Sequence, residues 1–219
     1  QINVVERSGA KVISITPAPV ALLHSVKSLL PEKPSGSIAL IEMGAERTHV
    51  TIVKDGRLRV TRDIPIGSAH LTHAMVGVTT AERSEVSLDL AKAEQIKRQY
   101  GILAESIEGA TEEGVPLGQL AALMRSVLEN LLIELARLFD FYKVQMGESG
   151  VERVLLCGGG ASLKHIQQFF SDGLALPVEV FDPLLRLERR TPVVEAQLGD
   201  GGSRRAVAVS QALVSSATK

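Results

Sequence analysis

Tryptophan is absent from the 219 residues, and only two tyrosines and five phenylalanines are present. So few aromatics cannot build a platform on which bases stack, and 24 basic against 25 acidic residues leave no surplus to neutralise a phosphate backbone. Nucleic acid is therefore disfavoured as the main ligand. The single cysteine, Cys157, rules out an internal disulfide framework and fits a reducing compartment. Long apolar runs are missing too. The most apolar early stretch, Val12 to Leu30, is broken by Pro17, Pro19, His24 and Lys27, whereas a membrane-spanning helix needs about 20 apolar residues. No signal-peptide pattern is visible. The chain opens on Gln1 rather than methionine, so an earlier start is expected. What is present is ordinary globular usage, 45% apolar and 22% charged, which argues for a folded chain with a conventional core.

Val12, Ile13 and Ile15 read as a short strand, with Thr16 and Pro17 placed to start a helix that carries Val20, Leu22, Leu23, Val26 and Leu30. The run from Pro31 to Gly36 is rich in turn formers and reads as a linker. Ile38 to Met43, Thr48 to Val53 and Leu58 to Ile66 then read as three strands of an antiparallel meander, with Asp55 and Gly56 in a hairpin turn. Helix formers follow between Gly67 and Gly101, and Gly101 is placed to stop that helix. Residues 105 to 118 carry Gly109, Gly114, Pro116 and Gly118 and predict a loop. The clearest helix comes next. Leu120, Met124, Val127, Leu128, Leu131, Leu135, Leu138 and Tyr142 recur at three- and four-residue steps, a wide stripe that must pack against a sheet. Val154 to Leu156, the glycine turn 158 to 160, a helix from Leu163 to Leu174 and a strand Val178 to Phe181 predict a βαβ unit. Arg205 to Ser215 predict a last helix. The fold class is α/β, one layered unit with an inserted helical segment.

Three patterns could carry chemistry. The bend Glu42 to Thr48 holds Gly44 and Ala45, whose backbone N–H groups could approach an anion. The hydroxyl of Thr48 could add a hydrogen bond, and Glu42 could reach a hydrated Mg²⁺. An ordinary hairpin would look the same. The run Gly158, Gly159, Gly160, Ala161, Ser162 removes every Cβ at a strand-to-helix turn, which suits either a phosphate or tight packing. It has neither the spaced glycines of a dinucleotide fingerprint nor a Walker lysine. Glu94, Lys97 and Arg98 share one helix face, as they would to hold a ribose and a base or simply to form a solvated charge pair. His24, His49, His70, His73 and His165 show no metal-ligand spacing, and Cys157 at the end of an apolar strand reads as a buried small residue.

Taken in chain order, a phosphate hairpin opening a meander, an acidic-basic helix and a glycine triplet after a later strand resemble the second half of the actin-like ATPase superfamily. Within it, the wording of Ile41 to Thr48, Asp63 to Gly67, Ala93 to Lys97, Leu138 to Tyr142, Leu155 to Ala161 and Leu176 to Pro183 is similar to the PilM family of type IV pilus assembly. The resemblance implies an actin-like, ribonuclease H-like fold. It would place residues 1 to 34 at the end of subdomain 1A, 35 to 67 with 116 to 200 in subdomain 2A, 68 to 115 in 2B, and 201 to 219 in a helix returning to 1A. It implies ATP and Mg²⁺ as ligands, held by Gly44, Ala45, Thr48, Glu94, Lys97, Arg98, Gly158, Gly159, Gly160 and Ser162, with Glu42 reaching the metal through water. It also implies a scaffold with at most slow hydrolysis, peripheral to the inner membrane on its cytoplasmic side, with the cytoplasmic N-terminal segment of PilN as partner at a site mostly outside these residues. Two departures stand out: Glu42 where the family usually has Asp, and His49 where it often has Asp or Asn. The related families of GspL in type II secretion and FtsA in cell division, and the small-molecule kinases of the same superfamily, are the alternatives.

Overall fold

Ile38, Leu40 and Val53 are buried on one side of a sheet, and Ala39, Ile41, Met43, Val50 and Ile52 on the other. Both faces are covered, which is why the first strand reads as one continuous apolar run rather than an alternation. The computed structural model describes residues 6–7, 9, 11, 15–29, 36–78, 87–104, 107–112, 114–186 and 203–217. Its five strands are β1 (Ser37–Met43), β2 (Thr48–Lys54), β3 (Arg57–Ile64), β4 (Arg153–Cys157) and β5 (Val178–Val180), in the order β3-β2-β1-β4-β5. The meander β1 to β3 is antiparallel, whereas β4 lies parallel to both β1 and β5. The expected meander and βαβ unit are thus present and share one sheet.

Helices fill both outer layers. On one side α1 (Ala18–Leu29) and the last helix, α6 (Ala206–Ala217), cover Ile38, Leu40, Val53 and Leu155 through Leu22, Val26 and Ala206. On the other side lie α2 (Ser68–Met75), α3 (Leu90–Tyr100), α4 (Leu117–Gln145) and α5 (Ile166–Leu174). The 29 residues of α4 span about 43 Å at 1.5 Å per residue, and Leu120, Met124, Leu128, Leu131, Leu135, Leu138 and Tyr142 form its buried stripe. Each such leucine taken out of water contributes about 2 kcal/mol. At the base of the sheet the Tyr142 hydroxyl meets Ser37 Oγ at 2.9 Å, satisfying two buried polar groups.

Four expectations shift. Among its described residues the segment between Gly67 and Gly101 holds two helices, because Ser68–Met75 forms a helix of its own before α3. Strand β3 ends at Ile64, two residues early, as the chain turns into α2. Helix α5 starts at Ile166 rather than Leu163, since residues 160 to 162 make a 3-10 turn and His165 takes a left-handed conformation, φ 65°, that no helix can include. At the start of the chain, residues 12 to 14 of the expected first strand lie outside the described residues, and Ile15 is in no strand and 73% exposed.

Candidate functional site

The bend between β1 and β2 is closed by the Gly44 N–H donating to the Arg47 carbonyl at 2.9 Å. Its other carbonyls are turned toward α2. Gly44 and Ala45 oxygens accept from the N–H groups of Ser68 and Ala69 at 2.9 and 2.8 Å, capping the first turn of α2 without a side chain. Gly67 makes this docking possible: a Cβ there would lie 2.3 Å from the Ala45 oxygen. Among the described residues no backbone bond takes the N–H of Ala45 or Glu46. Thr48 departs from its expected role. It is fully buried, and its hydroxyl donates to the Ile66 carbonyl at 2.7 Å, so it ties the meander to the chain entering α2 and has no proton to offer an anion.

The glycine triplet divides in function. Gly158 has φ +89°, its Cβ would sit 2.6 Å from the Met43 oxygen, and a Cβ on Gly160 would meet the Met43 side chain at 2.5 Å. These two glycines let the exits of β1 and β4 pack together, and the Gly158 N–H is spent on the Ser203 carbonyl at 2.8 Å. Gly159 is different. Its backbone is right-handed, φ −62° and ψ −35°, and no atom lies within 4 Å of its would-be Cβ. Ser162 Oγ lies 3.2 Å from Ser203 Oγ and so holds the returning chain rather than facing outward alone.

On α3, Asp89 caps the helix by accepting from the Lys92 N–H at 2.8 Å. Glu94 and Arg98 meet four residues apart at 2.7 Å, as expected from their spacing. Lys97 is 4% exposed. Its ammonium contacts Glu94 Oε2 at 2.6 Å, Thr72 Oγ1 at 2.8 Å and the Ser68 carbonyl at 3.0 Å, which uses its three protons to fasten α2 to α3. Thr72 in turn donates to Glu94 at 2.6 Å. Burial would raise the Glu94 carboxyl, but the hydrogen bonds from Lys97, Thr72 and Arg98 outweigh it and hold it down at about 2.

The three patterns meet. A cleft of about 280 Å³ is lined by Ala45 from the bend, Glu94, Lys97 and Arg98 from α3, and Gly159 from the glycine turn. Ser68, Ala69, Leu163 and Arg204 complete it, and no sequence pattern pointed to those four. One carboxylate against three cations leaves the cleft with surplus positive charge, suited to an anionic ligand. Gly44, Thr48, Gly158, Gly160 and Ser162 are not part of this lining. A larger cavity, about 860 Å³, lies behind α3 between Tyr100, Leu103, Leu132 and Phe169, and contains none of the expected ligand residues.

Glu42 is likewise set back from the cleft. It pairs across the sheet with His49 on β2 and with Cys157 on β4, and His49 Nδ1 lies 2.6 Å from Asp63 on β3. Burial raises the Glu42 carboxyl, the neighbouring His49 offsets this in part, and Asp63 adds to it. Burial, and then the Glu42 charge, pushes the Cys157 thiol upward, which agrees with a buried, unreactive residue. Among the described residues no group of three or more His, Cys, Asp or Glu side chains could hold a metal by itself. No described helix is long and apolar enough to cross a membrane.

Known proteins share this architecture. The chain superposes on the structure titled "PilM-PilN type IV pilus biogenesis complex" with a TM-score of 0.73 at 24% identity, covering 95% of this chain and 55% of that one. The ADP-bound MreB5 of Spiroplasma citri matches with a TM-score of 0.60 at 18% identity, over 96% of this chain and 62% of that chain. The fold is therefore actin-like. In sequence, the cell division protein FtsA of Helicobacter pylori is 26% identical over 191 residues, 72% of this chain and 35% of that protein. The chain thus spans a third to about three fifths of the length of these relatives. A family profile described as "Type IV pilus assembly protein PilM" matches residues 10–216, nearly the whole chain, and the chain belongs to that family.

Proposed function

We propose that this member of the PilM family binds ATP in the cleft between the 44–47 bend, α3 and Gly159, and serves type IV pilus assembly as a nucleotide-dependent scaffold. The observation that carries the reading is the convergence of three separate sequence patterns on one positively charged cleft. The cleft fits an adenine nucleotide in kind: an open glycine for close approach, Leu163 as an apolar wall, and the Arg98 guanidinium for stacking or for an oxygen. For Mg²⁺ the candidate is Glu42, a partly buried carboxyl, which suits a water-mediated hold on a metal carried in by the phosphates. In this reading residues 35 to 67 and 116 to 200 act as subdomain 2A and 68 to 115 as 2B, while α1 and α6 are the elements that continue toward subdomain 1A. The N-terminal cytoplasmic segment of PilN is the proposed partner, docking outside these residues at the cytoplasmic face of the inner membrane. Family membership and the PilM-PilN structure support it.

The test is a calorimetric titration of Mg·ATP into the full-length protein and its Gly159→Val variant. The right-handed backbone at Gly159 admits an L side chain and no described atom lies within 4 Å of its Cβ position, so the variant is expected to fold while its side chain intrudes on the cleft. Binding to the wild type and its loss in the variant are expected. Equal binding by both would remove the nucleotide from this cleft. Phosphoryl transfer to small metabolites should be undetectable, and turnover of a sugar or carboxylate would favour the kinase alternative.

A further inference from the structure

Arg204 sits in no recognisable motif, yet it lines the same cleft as Arg98 and Gly159. The cations of α3 already have partners within the helix layer: Lys97 has all three protons engaged, and Arg98 gives its Nε–H to Glu94. Arg204 is exposed and makes no hydrogen bond or ion pair among the described residues. Among the described residues it is a cleft cation with none of its side-chain donors engaged.

Its backbone, in contrast, is held firmly. The preceding Ser203 is 4% exposed, its carbonyl accepts the Gly158 N–H at 2.8 Å, and its hydroxyl lies 3.2 Å from Ser162 Oγ. The 3-10 turn Ser203–Arg205 therefore fixes the Arg204 backbone relative to the glycine turn, at the edge of the cleft it lines. Two residues later Ala206, 1% exposed, opens α6, which packs with α1 over the far face of the sheet. In that layer the hydroxyls of Ser25 and Ser210 are completely buried and find no hydrogen-bond partner among the described residues. Buried unsatisfied groups mark packing short of its optimum, so a small shift of α6 is weakly opposed there.

We propose that Arg204 contacts the phosphate oxygens of the ligand and that this contact ties occupancy of the cleft to the α1–α6 layer. The proposal rests on the nucleotide reading above and adds to it a specific contact and a route by which a distant face of the molecule registers the ligand. An arginine is suited to the task because its planar fork meets phosphate oxygens in pairs.

The test compares the full-length wild type with Arg204→Ala and Arg204→Lys, titrated with Mg·ATP and separately with adenosine, which has no phosphate. A charge-assisted contact of this kind is worth about a ten- to hundredfold change in affinity. Arg204→Ala should lose that much for Mg·ATP and under about twofold for adenosine, Arg204→Lys should recover part of the loss, and thermal unfolding of the free variants should be unchanged, since the exposed Arg204 side chain makes no hydrogen bond or ion pair among the described residues. By hydrogen exchange, the amides of Ala206 to Ser210 should gain protection with Mg·ATP in the wild type and not in Arg204→Ala. If Arg204→Ala binds Mg·ATP like the wild type, the proposal is wrong and the nucleotide cleft stands. If the wild type itself binds nothing, both fall. Lost affinity without any ligand-dependent protection of α6 in the wild type would overturn the tie to the α1–α6 layer.

Discussion

Replacing Lys97 by methionine keeps the length of the side-chain stem and removes only its charge, and the structure says what that should cost. The ammonium joins Glu94, Thr72 and the Ser68 carbonyl while remaining 4% exposed. Removing one partner of a fully buried ion pair costs about 3–5 kcal/mol, and an exposed pair is worth about 1 kcal/mol or less. Glu94 is 33% exposed, so the expectation lies between these limits, about 2–4 kcal/mol. In a chain of this size that lowers Tm by about 10 °C. The pH dependence separates this cause from a general packing defect. Glu94 is held at about 2 in the folded chain against an ordinary value of 4.5, so folding favours its ionised form. The stability this adds is complete above about pH 4.5 and is lost as pH falls toward 2. The gap between wild type and Lys97→Met, read by urea unfolding at a series of pH values, should therefore be widest near neutrality and narrow through that acid window. A variant within 1 kcal/mol of the wild type at pH 7, or a gap independent of pH, would refute the network described for α2 and α3.

Other predictions follow from neighbouring contacts. Thr48→Val should cost about 1–2 kcal/mol by leaving the Ile66 carbonyl unpaired, with nucleotide affinity unchanged once stability is accounted for. Gly158→Ala forces a side chain into a left-handed backbone and against the Met43 oxygen, so urea unfolding should show a loss of at least about 2 kcal/mol, whereas Gly159→Ala should be within about 0.5 kcal/mol of the wild type. Cys157, 2% exposed and with its thiol pushed up by burial, should react with a thiol reagent only at the rate at which the protein opens, and denaturant should accelerate labelling.

Much of this architecture was legible because its signals are local and periodic. The α4 stripe and the β-meander follow from apolar spacing, and Gly101 ends α3 at φ +70° as its position after the last polar turn indicates. The site was legible as a set of motifs and not as a division of labour among residues. Three consecutive glycines look alike in a sequence, yet two of them answer to Met43 and one to open space, a distinction made by a strand more than a hundred residues earlier in the chain. The spacing of Glu94, Lys97 and Arg98 correctly put them on one face, but only the arrival of Ser68 and Thr72 from α2 shows that Lys97 is a fastener while Arg98 remains at the surface. Thr48 has the chemistry of a phosphate ligand and spends it on Ile66. Arg204 carried no signal, because its place in the cleft depends on the return of the chain after β5 and on the Ser203 carbonyl meeting Gly158.

The most direct measurement is photolabelling of the full-length protein with an azido-adenine analogue of ATP, followed by peptide mapping. Labels on the α3 segment Ala91 to Gln99 and on Gly158 to Leu163, competed away by unmodified ATP, are the predicted result. Competed labels confined to the larger cavity around Leu103, Leu132 and Phe169, or no competed label at all, would contradict the claim that the bend, α3 and the glycine turn together form the nucleotide site.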